Sequence, residues 1–266
     1  LAAMLEKSKG KRCLVAVEGV YSMDGDLVKL DEVVEVCNQY EVPIYIDEAH
    51  STLMFGENGR GVAEHYGLED SIGISFGTFS KSFGGVGGFV CSNAKIINYL
   101  RGYSSPWNFS CALSPVVVGG LMKSLEVATR DSSLRDKLWE NVRYFKKGLV
   151  DLDLDIGETE SQVIPIIIGS SGEKLMAFAT EIQKRGLFLQ PVDCPIHVER
   201  LCVLFLLHVK PGQQLAIAPV ERFIADGLPE NLGARVQSLA LIDERREAGP
   251  DEVASLRVLL QERHVL

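Results

Sequence analysis

Two short apolar runs with a helical pattern between them constrain this chain more than anything else in it. Residues 13–17 (CLVAV) and 43–46 (PIYI) are brief runs bounded by turn-forming residues, and each reads as a buried strand. Between them, Asp31 can cap a helix that carries Val33, Val34, Cys37 and Tyr40 on one face. Strand, helix and strand within roughly 35 residues make a βαβ unit, and that connection implies a parallel sheet. A third strand is expected over about 71–76 (SIGISF) and a fourth over about 86–91, after a glycine-rich turn. The expected fold class is therefore α/β with a mainly parallel sheet.

After residue 130 the pattern changes. Segments 114–129 and 132–152 read as helices, and in the second Leu134, Leu138, Val142, Phe145 and Leu149 recur at helical spacing, a core-packing stripe. A strand over Val163–Ile168, a helix over Glu173–Arg185 and strands near 187–190 and 201–208 complete a smaller α+β unit. The expected division is 1–135 for part of a large domain and 136–266 for a small one, with a tail from about 216 that matches no pattern. The chain opens on Leu1 and a strand is expected soon after, so further residues are expected upstream.

A net charge of -9 without a basic stripe argues against nucleic acid or an anionic membrane as a partner. No apolar run approaches the ~20 residues of a membrane span. The cysteines at 13, 37, 91, 111, 194 and 202 form no C-x-x-C pair. They read as free core thiols of a cytoplasmic protein rather than as zinc or redox motifs.

In an open parallel sheet, ligands bind beyond the carboxyl ends of the strands. Ser22 follows the first strand, Asp47 and His50 follow the second in IYIDEAHS, and Thr78, Ser80 and Lys81 follow the third in FGTFSKSFGGVGG. A carboxylate at the end of an apolar strand calls for a cationic partner, and a protonated pyridine nitrogen is one. Lys81 stands among hydroxyl residues and glycines, not carboxylates, a setting that suits a Schiff base with a flat ring; Gly84, Gly85, Gly87 and Gly88 leave it room. Each feature also has a plainer reading. Asp47 can be a turn residue, Lys81 a solvated loop, and Asp47 with His50 two metal ligands, although no third ligand stands at a useful spacing and no metal is expected. GGVGG lacks the spacing of a dinucleotide fingerprint.

Four ordered segments, EGVYSMDGD (18–26), DEAHS (47–51), GRGVAEHYG (59–67) and GTFSKSFGGVGGF (77–89), resemble the α-oxoamine synthase family of fold-type I pyridoxal-phosphate enzymes. GTFSKS looks most like the serine palmitoyltransferase branch of that family, which also includes 8-amino-7-oxononanoate synthase. The resemblance implies that Lys81 carries pyridoxal 5'-phosphate and shuttles the substrate's α-proton, and that Asp47 binds the pyridine nitrogen. It implies that Ser22 and His50 meet the ring 3-hydroxyl, that Thr78 touches the phosphate, and that Ser110 reaches a phosphate across a homodimer interface. Lys81 and His50 would be the catalytic pair. The implied reaction condenses a small amino acid with an acyl-CoA to an α-amino ketone, with loss of CO2 and CoA.

One departure favours an alternative, a non-catalytic partner subunit. The family's substrate-gripping R-L-R strand reads Arg200-Leu201-Cys202 here. A fold-type I aminotransferase is a further alternative that shares the Lys and Asp logic.

Overall fold

The βαβ unit forms one side of a four-stranded sheet. Strands β1 (Val15–Glu18), β2 (Ile44–Asp47), β3 (Ile74–Thr78) and β4 (Gly88–Ser92) lie side by side in that order. The first three are parallel, with Val15 opposite Ile44 and Tyr45 opposite Ile74, and β4 turns back antiparallel on β3. The mainly parallel α/β expectation holds. A computed structural model, the structure describes residues 1–168, 172–184, 187–192, 200–204, 216–218 and 240–242.

Alternation sets β2 in place. Ile44 and Ile46 are fully buried, while Tyr45 and Asp47 are half-buried on the other face. The crossover helix α2 (Leu30–Gln39) presents Leu30, Val34 and Cys37 to the same core, with Val33, Val36 and Tyr40 packed at its margin. Asp31 does not cap it. The helix starts two residues earlier, after Lys29, and Asp31 and Glu32 instead lie in the first turn, where acidic groups complement the helix dipole.

Other boundaries move for local reasons. A helix, α1 (Ala2–Lys7), precedes the first strand, and its Leu5 joins the core. Between α3 (Val62–Tyr66) and β3, residues Glu69–Ser71 form one 3-10 turn, so the third strand begins later than expected. Helices α4 (Ala94–Tyr103) and α5 (Ser105–Asn108) lead to α6 (Pro115–Arg130), which Ser114 caps by accepting from the Val117 N–H. Among Cys13, Cys37, Cys91 and Cys111, only Cys37 is buried. Cys91 lies on the exposed strand β4, and Cys111 lies in the exposed stretch before α6, so neither is a core thiol.

Helix α7 (Ser133–Asp151) carries the apolar stripe, but not along its whole length. Val142, Phe145 and Leu149 are buried, Leu138 is half-buried and Leu134 is exposed. The helix reaches the core only from Trp139 onward, so its first turn projects beyond it. Next comes a three-stranded antiparallel sheet in which β7 (Arg200–Leu204) lies between β5 (Val163–Ile167) and β6 (Gln190–Val192). Helix α8 (Gly172–Lys184) packs on β6 and β7. The expected continuation of the last strand through 205–208 lies outside the described residues. Residues Leu1–Leu207 form one compact unit and His208–Leu266 another; the second holds an antiparallel pair, β8 (Ala216–Ala218) and β9 (Ala240–Ile242).

The two ends of the α7 stripe make a direct test. Leu149 is 0% exposed and Leu134 is 59% exposed. Leu149→Ala is expected to cost about 2–5 kcal/mol in urea unfolding, whereas Leu134→Ala should stay within about 0.5 kcal/mol. Equal costs would contradict this placement of the helix.

Candidate active site

The parallel strands end in step. Glu18, Asp47 and Phe76 are registered across β1, β2 and β3, and the ladder runs on past the strands, with the Gly19 N–H donating to the Asp47 carbonyl (2.8 Å) and the Glu48 N–H to the Phe76 carbonyl (2.7 Å). The segments that leave this edge carry Ser22, Asp47, His50, Thr78 and Lys81. The topology therefore brings five of the six residues singled out in the sequence to one side of the sheet. Ser110 is not among them. It lies in the exposed stretch between α5 and α6, where its hydroxyl donates to the Pro106 carbonyl.

Each strand-end segment is held by its own short-range bonds. The Ser22 N–H donates to the Glu18 carboxylate (3.2 Å), and Asp26, Tyr21 and Gly25 close a tight turn around Ser22 through backbone bonds. Asp47 accepts from the Ala49 N–H (2.8 Å), an Asx turn that occupies one lone pair of a group able to take several. The hydroxyls of Thr78 and Ser80 are 2.8 Å apart, and Thr78 also bonds to the Gly87 carbonyl (3.2 Å) and takes the Ser80 N–H (3.2 Å). Lys81 starts the turn that follows, with its carbonyl accepting from the Gly84 N–H (2.9 Å). Ser82 ties this turn to the neighbouring one by donating to the Thr52 carbonyl (2.8 Å).

The side chain that organises this edge is one the sequence reading passed over. Glu48 is 1% exposed and accepts from the Val62 N–H, the Ala63 N–H (both 2.9 Å) and the Ser51 hydroxyl. It thus fastens the start of α3 beneath the Asp47–His50 segment. Gly61 makes this possible. Its φ of +121° suits only glycine, and a Cβ there would stand 2.5 Å from the Glu48 carboxylate. Leu53, also at positive φ (67°), donates its N–H to the Gly59 carbonyl (2.7 Å). The available signal was the pairing of a second acid beside Asp47 with the G-x-G of residues 59–61.

Burial raises the Glu48 carboxyl above the usual carboxylate range; the bonds from Ser51, Ala63 and Val62 pull the other way, and Asp47 adds to the rise. Asp47 also acts on Tyr45, whose phenol is raised first by burial and then by that negative neighbour. Farther along the edge, burial and then Glu158 and Glu160 raise Asp26. Among the described residues, no cluster of three or more His, Cys, Asp or Glu could hold a metal ion. The donor set suits a different group. A half-buried carboxylate, a lysine in a glycine-bordered turn and two adjacent hydroxyls fit an aromatic cation that also carries an aldehyde and a phosphate.

The pattern of the family "Aminotransferase class I and II" matches residues 1–203. An 8-amino-7-oxononanoate synthase of Thermoanaerobacter pseudethanolicus is 36% identical over 71% of this chain and 48% of its own length. A serine palmitoyltransferase of Sphingobacterium spiritivorum is 37% identical over 68% of this chain and 45% of its own. The solved structure of a serine palmitoyltransferase from S. paucimobilis, with PLP and myriocin bound, superposes with a TM-score of 0.71 at 34% identity, covering 76% of this chain and 51% of that one. The chain thus spans about half the length of the relatives it matches.

Glu48→Ala strands the Val62 and Ala63 N–H groups, at an expected cost of roughly 1–3 kcal/mol for each orphaned donor. The pH dependence follows from the raised carboxyl. Its penalty on the folded state is absent below the unfolded value and grows as pH rises toward the folded one. The gap between the parent protein and Glu48→Ala should therefore be widest in acid and narrow toward neutral pH. Urea unfolding across a pH series reads this; a gap that widens with rising pH contradicts it.

Proposed function

The chain belongs to the aminotransferase class I and II family, and from that premise we propose that it is the lysine-bearing part of a pyridoxal-phosphate-dependent C-acyltransferase. Its reaction condenses a small amino acid with an acyl-CoA to an α-amino ketone, releasing CO2 and CoA. The observation that carries this reading is the set of Ser22, Asp47, His50, Thr78 and Lys81 along one edge of a parallel sheet, within a sequence 36–37% identical to two synthases of the α-oxoamine group.

The cofactor, when bound, supplies an electron sink for charge that develops at the substrate's α-carbon. Lys81 holds its aldehyde carbon and moves the proton at the α-carbon. Asp47 accepts the pyridine N–H and keeps that nitrogen protonated. Ser22 and His50 meet the ring 3-hydroxyl, and Thr78 bonds the phosphate. Ser110 serves a phosphate in the second copy of a homodimer, consistent with its exposure away from the strand ends. The residue division 1–135 and 136–266 separates the cofactor-binding part from the part that meets the substrate carboxylate. A cytoplasmic setting fits the free thiols of Cys13, Cys37, Cys91 and Cys111. Among the described residues no helix is long and apolar enough to cross a membrane.

Borohydride reduction of the pyridoxal-phosphate-loaded protein is expected to leave the label on the peptide containing Lys81. Label elsewhere, with Lys81→Ala still active, overturns the assignment. Asp47→Ala should retain the cofactor yet lose about 100-fold or more in kcat. CoA release, assayed with serine, glycine and alanine against short and long acyl-CoAs, distinguishes the synthase from an aminotransferase, which releases none. A fully active monomer in sedimentation would exclude the homodimer.

The carboxylate site has its own test. In β7, Arg200 is registered opposite Ile167 and Cys202 opposite Pro165, so the two occupy alternate positions on one strand. A charged hydrogen bond is worth ~1.5–3 kcal/mol, so cysteine at 202 should weaken amino acid binding roughly tenfold to a hundredfold or more. Cys202→Arg is expected to tighten the amino acid titration of the cofactor's absorbance; equal, tight binding in both forms would assign the job to Arg200 or another group.

A further inference from the structure

Residues 159–163 touch the strand-end segments at two places. The Glu160 and Ser161 N–H groups donate to the Gly25 carbonyl (3.2 Å each), on the turn that carries Ser22, and the Thr159 hydroxyl oxygen lies 3.2 Å from the same carbonyl. Gln162 Nε2 donates to the His50 carbonyl (2.6 Å). That bond fixes which way the amide faces, since only the nitrogen end can donate. Chain separation makes the contact notable, because Gln162 lies more than a hundred residues from His50.

This stretch is built to be rigid. Thr159, Ser161, Gln162 and Val163 are all buried. Ser161 Oγ takes the Val163 N–H (3.1 Å), and Thr159 Oγ1 donates to the Val163 carbonyl and takes the Ser161 N–H (3.4 Å), so the polar groups largely satisfy one another. Lys146 on α7 donates to the Thr159 carbonyl. Val163 belongs to the same core as Ile44 and Ile46. Gly25 has a φ of +75°, and a Cβ there would collide with Thr159 and the Val163 carbonyl, so the two segments are in direct contact.

We infer that residues 159–163 form a strap that sets the positions of Ser22 and His50 together, and that Gln162 is the positioning residue for His50. The inference rests on the reading of Ser22 and His50 as contacts to the cofactor ring. Its consequence is specific: Gln162 acts on the cofactor through His50, so loss of one should mask loss of the other.

The test is a double-mutant cycle. Pyridoxal-phosphate affinity and the pH profile of the cofactor's absorbance are measured for the parent protein, Gln162→Leu, His50→Ala and the double variant. Gln162→Leu should weaken cofactor binding about threefold to tenfold, the range for one hydrogen bond, and should move the pH profile. The double variant should bind no more weakly than His50→Ala. Additive losses, or an unmoved profile in Gln162→Leu, would overturn the proposal and leave Gln162 a packing residue. A parent protein that shows no cofactor absorbance would sink the functional reading instead. In that event the His50 imidazole titration, followed by proton NMR in the cofactor-free protein, still decides the inference. A shifted His50 signal in Gln162→Leu supports it, and an unchanged one overturns it.

Discussion

The parallel pairing of β1, β2 and β3 is the constraint on which the rest of the molecule depends. Because Glu18, Asp47 and Phe76 share a level in the sheet, three chain segments leave the same edge. A one-residue slip of β2 would turn Ile44 and Ile46 out of the core and Asp47 into it. The two isoleucines are fully buried, so apolar burial enforces the register that aims the carboxylate. Packing and chemistry use the same four residues on alternate faces.

Glu48 shows the cost of so tight an arrangement and how it is met. Directly after a strand, and in step with the buried Ile44 and Ile46, a second carboxylate would be expensive to bury. It is tolerated because two backbone N–H groups at the start of α3 and the Ser51 hydroxyl point at it. The same bonds close residues 51–61 into a compact loop over the sheet edge, and Arg135 and Trp139 of α7 press on that loop from outside through the Glu57 and Met54 carbonyls (2.6 and 3.0 Å).

What could be read from the amino-acid order was whatever local pattern dictates. The βαβ unit, the two long helices and the strand-end positions of Asp47 and Lys81 follow from periodicity and from the geometry of parallel sheets. The exact starts of elements did not, because Asp31 is equally good as a cap or as a first-turn acid, and only the surrounding chain decides. Leu134 fits the α7 stripe perfectly by spacing, yet periodicity says nothing about how far a helix extends past the core. Gln162 was invisible for a different reason. Its partner is a backbone carbonyl far along the chain, and backbone carries no sequence signature; Glu48 left only the trace of a second acid ahead of the 59–61 glycines.

That last property bears on how such an edge can change over evolutionary time. The carbonyls of Gly25, His50, Thr52, Met54 and Glu57 are the acceptors through which distant side chains hold the strand-end loops. A carbonyl survives substitution at its own position wherever a side chain fits, as at His50, Thr52, Met54 and Glu57, though not at Gly25, where a Cβ would strike Thr159. The loops can therefore exchange side chains that face a ligand without surrendering the bonds that hold them in place, while the donors Arg135, Trp139, Thr159 and Gln162 stand elsewhere and only Ser82 belongs to a strand-end turn. Anchorage and recognition are written in separate residues, and drift in substrate preference need not unsettle the scaffold beneath it.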